Sequence, residues 1–303
     1  MSENRSEPRF GRLESFALVT LAYLAALAAA LWIGARWGGA HPYGALFWAD
    51  VAATLVVYAF SIRLDNGSVY DPYWSVAPPL IALFWIGHAS TASGARQVLV
   101  TTLVFAWGIR LTYNWARGWP GLHHEDWRYL DLYARAPKWL ISLTGVHLFP
   151  TIQVFLGCLA LVPALACGSR PVNALDAIAL VVTGGAILIE WLADEQLRRF
   201  GRRKNPGEIM TEGLWSWSRH PNYFGELSFW WGLFLFGFAA DPSYWWTVIG
   251  PVAMTLMFHF ASIPMLDQRS LTRRPGYAEH MERVNAVIPW PPGRERANHA
   301  PRA

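Results

Sequence analysis

The chain has 303 residues, of which 53% are hydrophobic, 15% aromatic and only 15% charged. Soluble domains carry about 25% charged residues, so a water-soluble globular domain is excluded. The apolar residues come in blocks long enough to cross a bilayer, which takes roughly 20 residues. A net charge of +4 does not mark a nucleic-acid binder, because the basic residues sit at the ends of apolar blocks, where membrane topology puts them.

Residues 1–13 form a polar N-terminal segment with Arg5, Arg9 and Arg12. No small-residue cleavage site follows the first apolar run before Arg36, which argues against a cleaved signal peptide. Spans are predicted at about 14–35, 44–63, 75–92, 97–115, 140–167, 172–193, 224–240 and 244–263. Pro78 and Pro79 stand near the start of the third. Within hydrocarbon a chain without barrel-like alternation satisfies its backbone only as helices. The expectation is an all-α integral membrane protein, a bundle of seven or eight transmembrane helices in a single domain over 14–292. Residues 293–303 read as a disordered tail. Cys158 and Cys167 lie in or beside one apolar segment and read as core residues.

The basic residues orient the chain. With eight spans and the N-terminus inside, the outer loops hold Arg36, Arg96 and Arg170, and 25 less these three leaves 22 on the cytoplasmic side. This is the positive-inside pattern, with both termini cytoplasmic. Arginine outnumbers lysine 23 to 2, as in a GC-rich bacterial genome, so the expected location is a bacterial inner membrane.

The polar segments gather on that inner side. The richest runs from Asp194 to Glu226. Asp194 and Arg198 are four apart and share a helix face. Asn205-Pro206-Gly207 is a turn signal, and Pro221 suits the first turn of a helix that would carry Asn222, Tyr223 and Glu226. A membrane anchor explains Arg198 to Lys204. It leaves Asn222 and Glu226 unexplained, since polar groups at a span's entrance are costly unless used or paired. A second set, Arg110, Tyr113, Asn114, Trp115 and Arg117, ends the fourth span; snorkelling is its structural alternative. A third, Asp65, Asn66, Tyr70, Asp71, Tyr73 and Trp74, offers acids and phenols able to donate a proton, or an Asx turn before Pro72. His123-His124-Glu125-Asp126 has no second cluster to complete a coordination sphere, so no metal is expected.

Gly213-Leu214-Trp215 followed by Ser218-Arg219-His220-Pro221-Asn222-Tyr223-Phe224-Gly225-Glu226 resembles the C-terminal signature of the steroid 5-alpha-reductase and sterol-reductase superfamily. Asp194 to Arg198, Asn205 to Glu208, Arg274-Pro275-Gly276-Tyr277 and Ile288-Pro289 are similar to its flanking segments. The pattern most resembles the bacterial DUF1295-type branch, over roughly residues 60–292. The resemblance implies an NADPH site in a C-terminal half of about 190–292, with cofactor roles for Asp194, Arg198, Arg219, His220, Asn222, Tyr223, Glu226 and Tyr277, and more loosely Arg110 and Asn114. The family's substrate-orienting Gln-Glu pair and Tyr have no clean counterpart; Asp71 and Tyr113 are the nearest candidates for catalysis.

Isoprenylcysteine carboxyl methyltransferases share an Arg-His-Pro-x-Tyr-x-Gly stretch and bind S-adenosylmethionine with it. Charge separates the two. NADPH brings phosphates, for which arginine is the preferred partner, and seven basic residues (Arg110, Arg198, Arg199, Arg202, Arg203, Lys204 and Arg219) accompany the motif. The expected activity is NADPH-dependent reduction of a conjugated double bond in a hydrophobic lipid that enters sideways between helices. A lipid methyltransferase and a non-enzymatic membrane protein are the alternatives.

Overall fold

The structure, a computed structural model, describes residues 10–292. The expected tail, 293–303, and most of the N-terminal segment lie outside the described residues. Helices follow one another as α1 (Arg12–Trp37), α2 (Pro42–Leu64), α3 (Tyr73–Gly87), α4 (Gly94–Gly118) and α5 (Trp127–Tyr133). Then come α6 (Lys138–Cys167), α7 (Ala174–Gly201), α8 (Pro221–Ala240), α9 (Pro242–Arg273) and α10 (Tyr277–Arg283). No strand occurs among the described residues. The chain is an all-α membrane protein.

Local chemistry sets several helix ends. Asn173 and Asp176 close a capping box at the start of α7, with Leu175 N donating to Asn173 Oδ1 at 3.0 Å and Asn173 N to Asp176 Oδ2 at 2.9 Å. Pro42 and Pro221 open α2 and α8, where a missing N–H costs nothing. Asn66 Oδ1 accepts from Ser68 N at 2.8 Å and caps the short 3₁₀ turn Gly67–Tyr70.

Among the described residues five helices, α1, α2, α6, α7 and α9, are long and apolar enough to cross a membrane. Three expected spans fall in α3, α4 and α8, each for its own reason outside that set. The 15 residues of α3 reach only about 22 Å at 1.5 Å per residue, short of a roughly 30 Å hydrocarbon core. Arg96, Arg110 and Arg117 interrupt α4, and α8 carries Asn222 and Glu226 among its aromatic residues. The run through Pro78 and Pro79 is continuous helix.

The chain divides into two compact units, Met1–Val172 with Gly237–Gly250, and Asn173–Phe236 with Pro251–Ala303. In the first, α4 lies so close to α3 that a Cβ on Gly108 would stand 2.6 Å from Ser75 O. Arg96, expected in an outer loop, is instead fully buried inside α4. Its guanidinium donates to the Arg170 and Pro171 carbonyls at 2.8 and 3.0 Å, which offsets the cost of burying its charge. Here α6 contains two π-helical turns, Ser142–Leu148 and Pro163–Cys167.

In the second unit, α7 and α8 meet through glycines. A Cβ on Gly225 would stand 2.8 Å from Glu190 Cβ and 2.9 Å from Ala186 O, and one on Gly232 would overlap Thr183. Small residues that let backbones approach are the usual glue of apolar helix pairs.

Candidate active site

The signature segment of the second unit is built outward from α7. Gly213 has φ +56, and a Cβ there would meet the Gln196 amide at 2.6 Å, so only glycine fits this turn comfortably. Leu214 N donates to Gln196 Oε1 and Trp215 Nε1 to Ala193 O, both at 3.0 Å. Trp215 thereby joins Ala193, Phe200 and Met210 in a small apolar core, which ties the 202–218 connection back to α7.

The next residues run alongside 284–290. Arg219 N donates to Asn285 O at 2.8 Å, His220 N to Ala286 O at 3.0 Å and Trp290 N to Trp217 O at 3.0 Å. Ser218 Oγ donates to Val287 O at 2.7 Å. Beneath this ribbon Asp267, from α9, gathers three predicted site residues. Its Oδ2 accepts from Arg219 Nη2 at 2.7 Å, and its Oδ1 lies 3.1 Å from His220 Nε2 and 2.8 Å from the Tyr277 hydroxyl. Arg219 Nη1 also donates to Val284 O at 2.6 Å, so its guanidinium braces the scaffold as well as carrying charge. Burial and the neighbouring carboxylate push the Tyr277 phenol up to about 12.

His220 stacks on Tyr223, with ring centroids 5.4 Å apart, and Tyr223 meets Phe258 edge-on at 4.6 Å. Glu226 is buried and accepts from Trp230 Nε1 at 2.9 Å. Asn222 Oδ1 is buried without a hydrogen-bond partner. Such an atom is costly unless a ligand donor reaches it. Asp194 and Arg198 share a face of α7 near its end, half-buried. These groups fit a nucleotide with phosphates: cationic Arg198 suits a phosphate, the unpartnered Asn222 amide oxygen can accept from an amino or hydroxyl group, and the His220–Tyr223 ring pair lies beside them. Two buried acids bear on this site from the membrane helices and were not singled out from sequence: Asp267, and Glu190, which lies against Gly225.

The remaining predicted residues belong to the first unit. Arg110 and Asn114 lie one turn apart on α4, and Asn114 Oδ1 accepts from Arg117 Nε and Nη2 at 3.1 and 3.0 Å. Tyr113 is 62% exposed, with the Arg117 guanidinium 5.3 Å from its ring. Asp71 accepts from the Tyr129 hydroxyl at 2.6 Å, and burial pushes its carboxyl up to about 7 against that donor. No hydrogen bond joins Tyr113 to Asp71 among the described residues. The His123–Asp126 stretch is used by the fold: Asn66 donates to the His124 carbonyl at 3.0 Å, Gly67 N to Glu125 Oε1 at 2.6 Å, and Asp126 caps α5. No group of three metal-ligating side chains converges among the described residues.

Neither Asp71 nor Tyr113 lines the apolar cavity found in this unit. That cavity, about 490 Å³, opens among α1, α2 and α3. Its walls are mostly small or aliphatic, from Ala26, Ala30 and Gly34 on α1, Ala49 and Ala53 on α2 and Ala77 on α3, with Tyr23, Phe84 and His88 also lining it. Leu31, Leu80 and Leu83 on its rim are 63%, 41% and 48% exposed. One acid–phenol pair is set into this apolar wall. The Tyr73 hydroxyl donates to Asp50 Oδ1 at 2.6 Å, and Asp50 Oδ2 has no partner. Asp50 is only 6% exposed, so its carboxyl sits in a site that rewards a polar ligand group. A lone aspartate inside the second span was the signal for it, because an ionisable residue within a span is a functional pointer by default.

An all-α membrane protein with an apolar cavity in one unit and a basic, hydrogen-bonding signature in the other is thus the class. Within it, the chain belongs to the family described as protein of unknown function (DUF1295), whose model matches residues 57–284. An uncharacterized protein of the fission yeast Schizosaccharomyces pombe is 26% identical over 261 residues, which is 77% of this chain and 76% of the yeast protein. No solved structure matches the chain.

Proposed function

We propose that this chain is a membrane-embedded, NADPH-dependent reductase of a carbon–carbon double bond conjugated to a carbonyl, acting on a hydrophobic lipid of steroid or isoprenoid kind. The observation that carries the reading is the apolar cavity with the Asp50–Tyr73 pair in its wall. A long hydrocarbon body suits the alanine and leucine lining, and a single carbonyl suits the one acid–phenol pair. The exposed leucines on the rim suit lateral entry from the hydrocarbon. The polypeptide would sit in a bacterial inner membrane as seven or eight spans, with both termini and the signature segment facing the cytoplasm.

Arg198, His220, Asn222, Tyr223, Glu226 and Tyr277 would hold the cofactor, with Asp194 and Arg219 shaping their surroundings. Bound NADPH supplies a hydride for the β-carbon of the enone. Asp50 and Tyr73, which line the cavity, would bind the carbonyl oxygen and deliver the proton that the resulting enolate takes up, in place of the Asp71 and Tyr113 expected from sequence. The net change is two hydrogens added across the double bond, one as hydride and one as proton.

Isotope transfer tests the reading. The purified protein is given NADPH deuterated at the transferable position of the nicotinamide, together with a panel of enone sterols and polyprenyl enones. One deuterium at the β-carbon of a saturated product supports a reductase. A methylated product formed with S-adenosylmethionine, and no deuterium transfer, makes the chain a lipid methyltransferase.

A further inference from the structure

Asp267 does more than brace the signature segment. Arg219 already balances its charge through Oδ2 at 2.7 Å, while His220 Nε2 faces Oδ1 at 3.1 Å. A carboxylate can only accept, so Nε2 carries a proton, and in the neutral ring the lone pair is then on Nδ1. No described residue bonds Nδ1: the other polar contacts of His220 are made by its backbone, which donates to Ala286 O and Ser218 Oγ. The ring lies at 20° to the plane of Tyr223, and a half-turn that kept this stack would carry Nε2 away from Asp267 Oδ1.

We propose that Asp267 is a positioning residue that fixes the Nε2–H tautomer of His220, so that Nδ1 accepts a hydrogen bond from a hydroxyl or amino group of the bound nucleotide. This rests on the dinucleotide reading above. Ribose hydroxyls and the adenine amino group are such donors, and ionised phosphates are not.

Asp267→Asn separates this role from a structural one. Arg219 only donates, so the new amide must turn its oxygen to Arg219 and its NH₂ toward His220 and Tyr277. Nε2 is then forced to accept, and the ring proton moves to Nδ1. The same exchange beside the histidine of a serine-protease triad leaves geometry intact and installs the wrong tautomer.

The experiment records the ring-nitrogen resonances of the full chain labelled with ¹⁵N-histidine in detergent micelles, with and without NADPH. A His220→Gln sample assigns the resonances. Expected are an Nε2–H tautomer in the parent, a shift of Nδ1 on NADPH addition, and the opposite tautomer in Asp267→Asn with about tenfold weaker NADPH binding, the worth of one hydrogen bond. An Nδ1–H tautomer in the parent, or an Nδ1 that stays unmoved at NADPH saturation, overturns the proposal alone. A parent that binds no NADPH overturns the reductase reading together with it. The parent titration decides the matter even where Asp267→Asn fails to fold.

Discussion

The Tyr73 hydroxyl on α3 reaches across to Asp50 on α2 and donates to its Oδ1 at 2.6 Å, with both side chains on the wall of one apolar cavity. The pair works as a unit in the proposed chemistry, since removing either member strands the other. Tyr73→Phe and Asp50→Asn are each expected to lower turnover at least about a hundredfold, the usual scale for a lost acid–base group. NADPH affinity should stay within about twofold, because the pair lines the apolar cavity and is not among the residues proposed to hold the cofactor. Full turnover in Tyr73→Phe would remove the pair from the mechanism.

Gly34 tests the cavity itself. It lines the space, and a Cβ built there meets nothing within 4 Å. Gly34→Ala should raise stability by about 0.5–1 kcal/mol, the helix-interior cost of glycine. Gly34→Leu should keep the fold and abolish binding of a fluorescent sterol, by occupying the same volume. Equal sterol affinity in the parent and the leucine variant would place the lipid elsewhere.

Gly225 tests the α7–α8 contact. Its added methyl would press on the Ala186 carbonyl at 2.9 Å as well as on Glu190 Cβ, and backbone cannot rotate away. Gly225→Ala should therefore lose about 1–3 kcal/mol, the range for overpacking, seen as a lower unfolding midpoint in detergent. A midpoint unchanged within error would mean the helices sit further apart.

Asp71 makes a prediction about pH. Its carboxyl is raised to about 7 by burial, against roughly 3.9 in an unfolded chain. Between those values the folded state holds a proton that the unfolded state has lost, so stability falls as pH rises through that window. Scans from pH 5 to 8 should show the parent losing stability more steeply than Asp71→Asn, which keeps a neutral acceptor for Tyr129. Parallel curves for the two proteins would contradict the shift.

Much of the fold was legible because membrane helices announce themselves in composition. The apolar runs of α1, α2, α6, α7 and α9 needed no tertiary information, and Pro221 and the Asn66 turn carried their own local chemistry. Arg96 did not, because only the tertiary fold brings the Arg170 and Pro171 carbonyls to a guanidinium in α4. The signature residues Arg219, His220 and Tyr277 were legible as a motif. Their common partner Asp267 was not, since it lies 47 residues beyond His220 and in no local pattern with it. The choice of Asp71 and Tyr113 followed polarity near the membrane surface. Asp50 and Tyr73 line the cavity, and three helices must assemble before that cavity exists.

The most direct test of the central claim is the thermal stability of the purified protein in detergent with NADPH, NADH or S-adenosylmethionine. A ligand that binds only the folded state adds about 2.7 kcal/mol at a hundredfold excess over its Kd. The reductase account predicts stabilisation by NADPH, less by NADH, none by S-adenosylmethionine, and loss of the NADPH effect in Asn222→Ala and Glu226→Ala. Stabilisation by S-adenosylmethionine with no response to NADPH would contradict it.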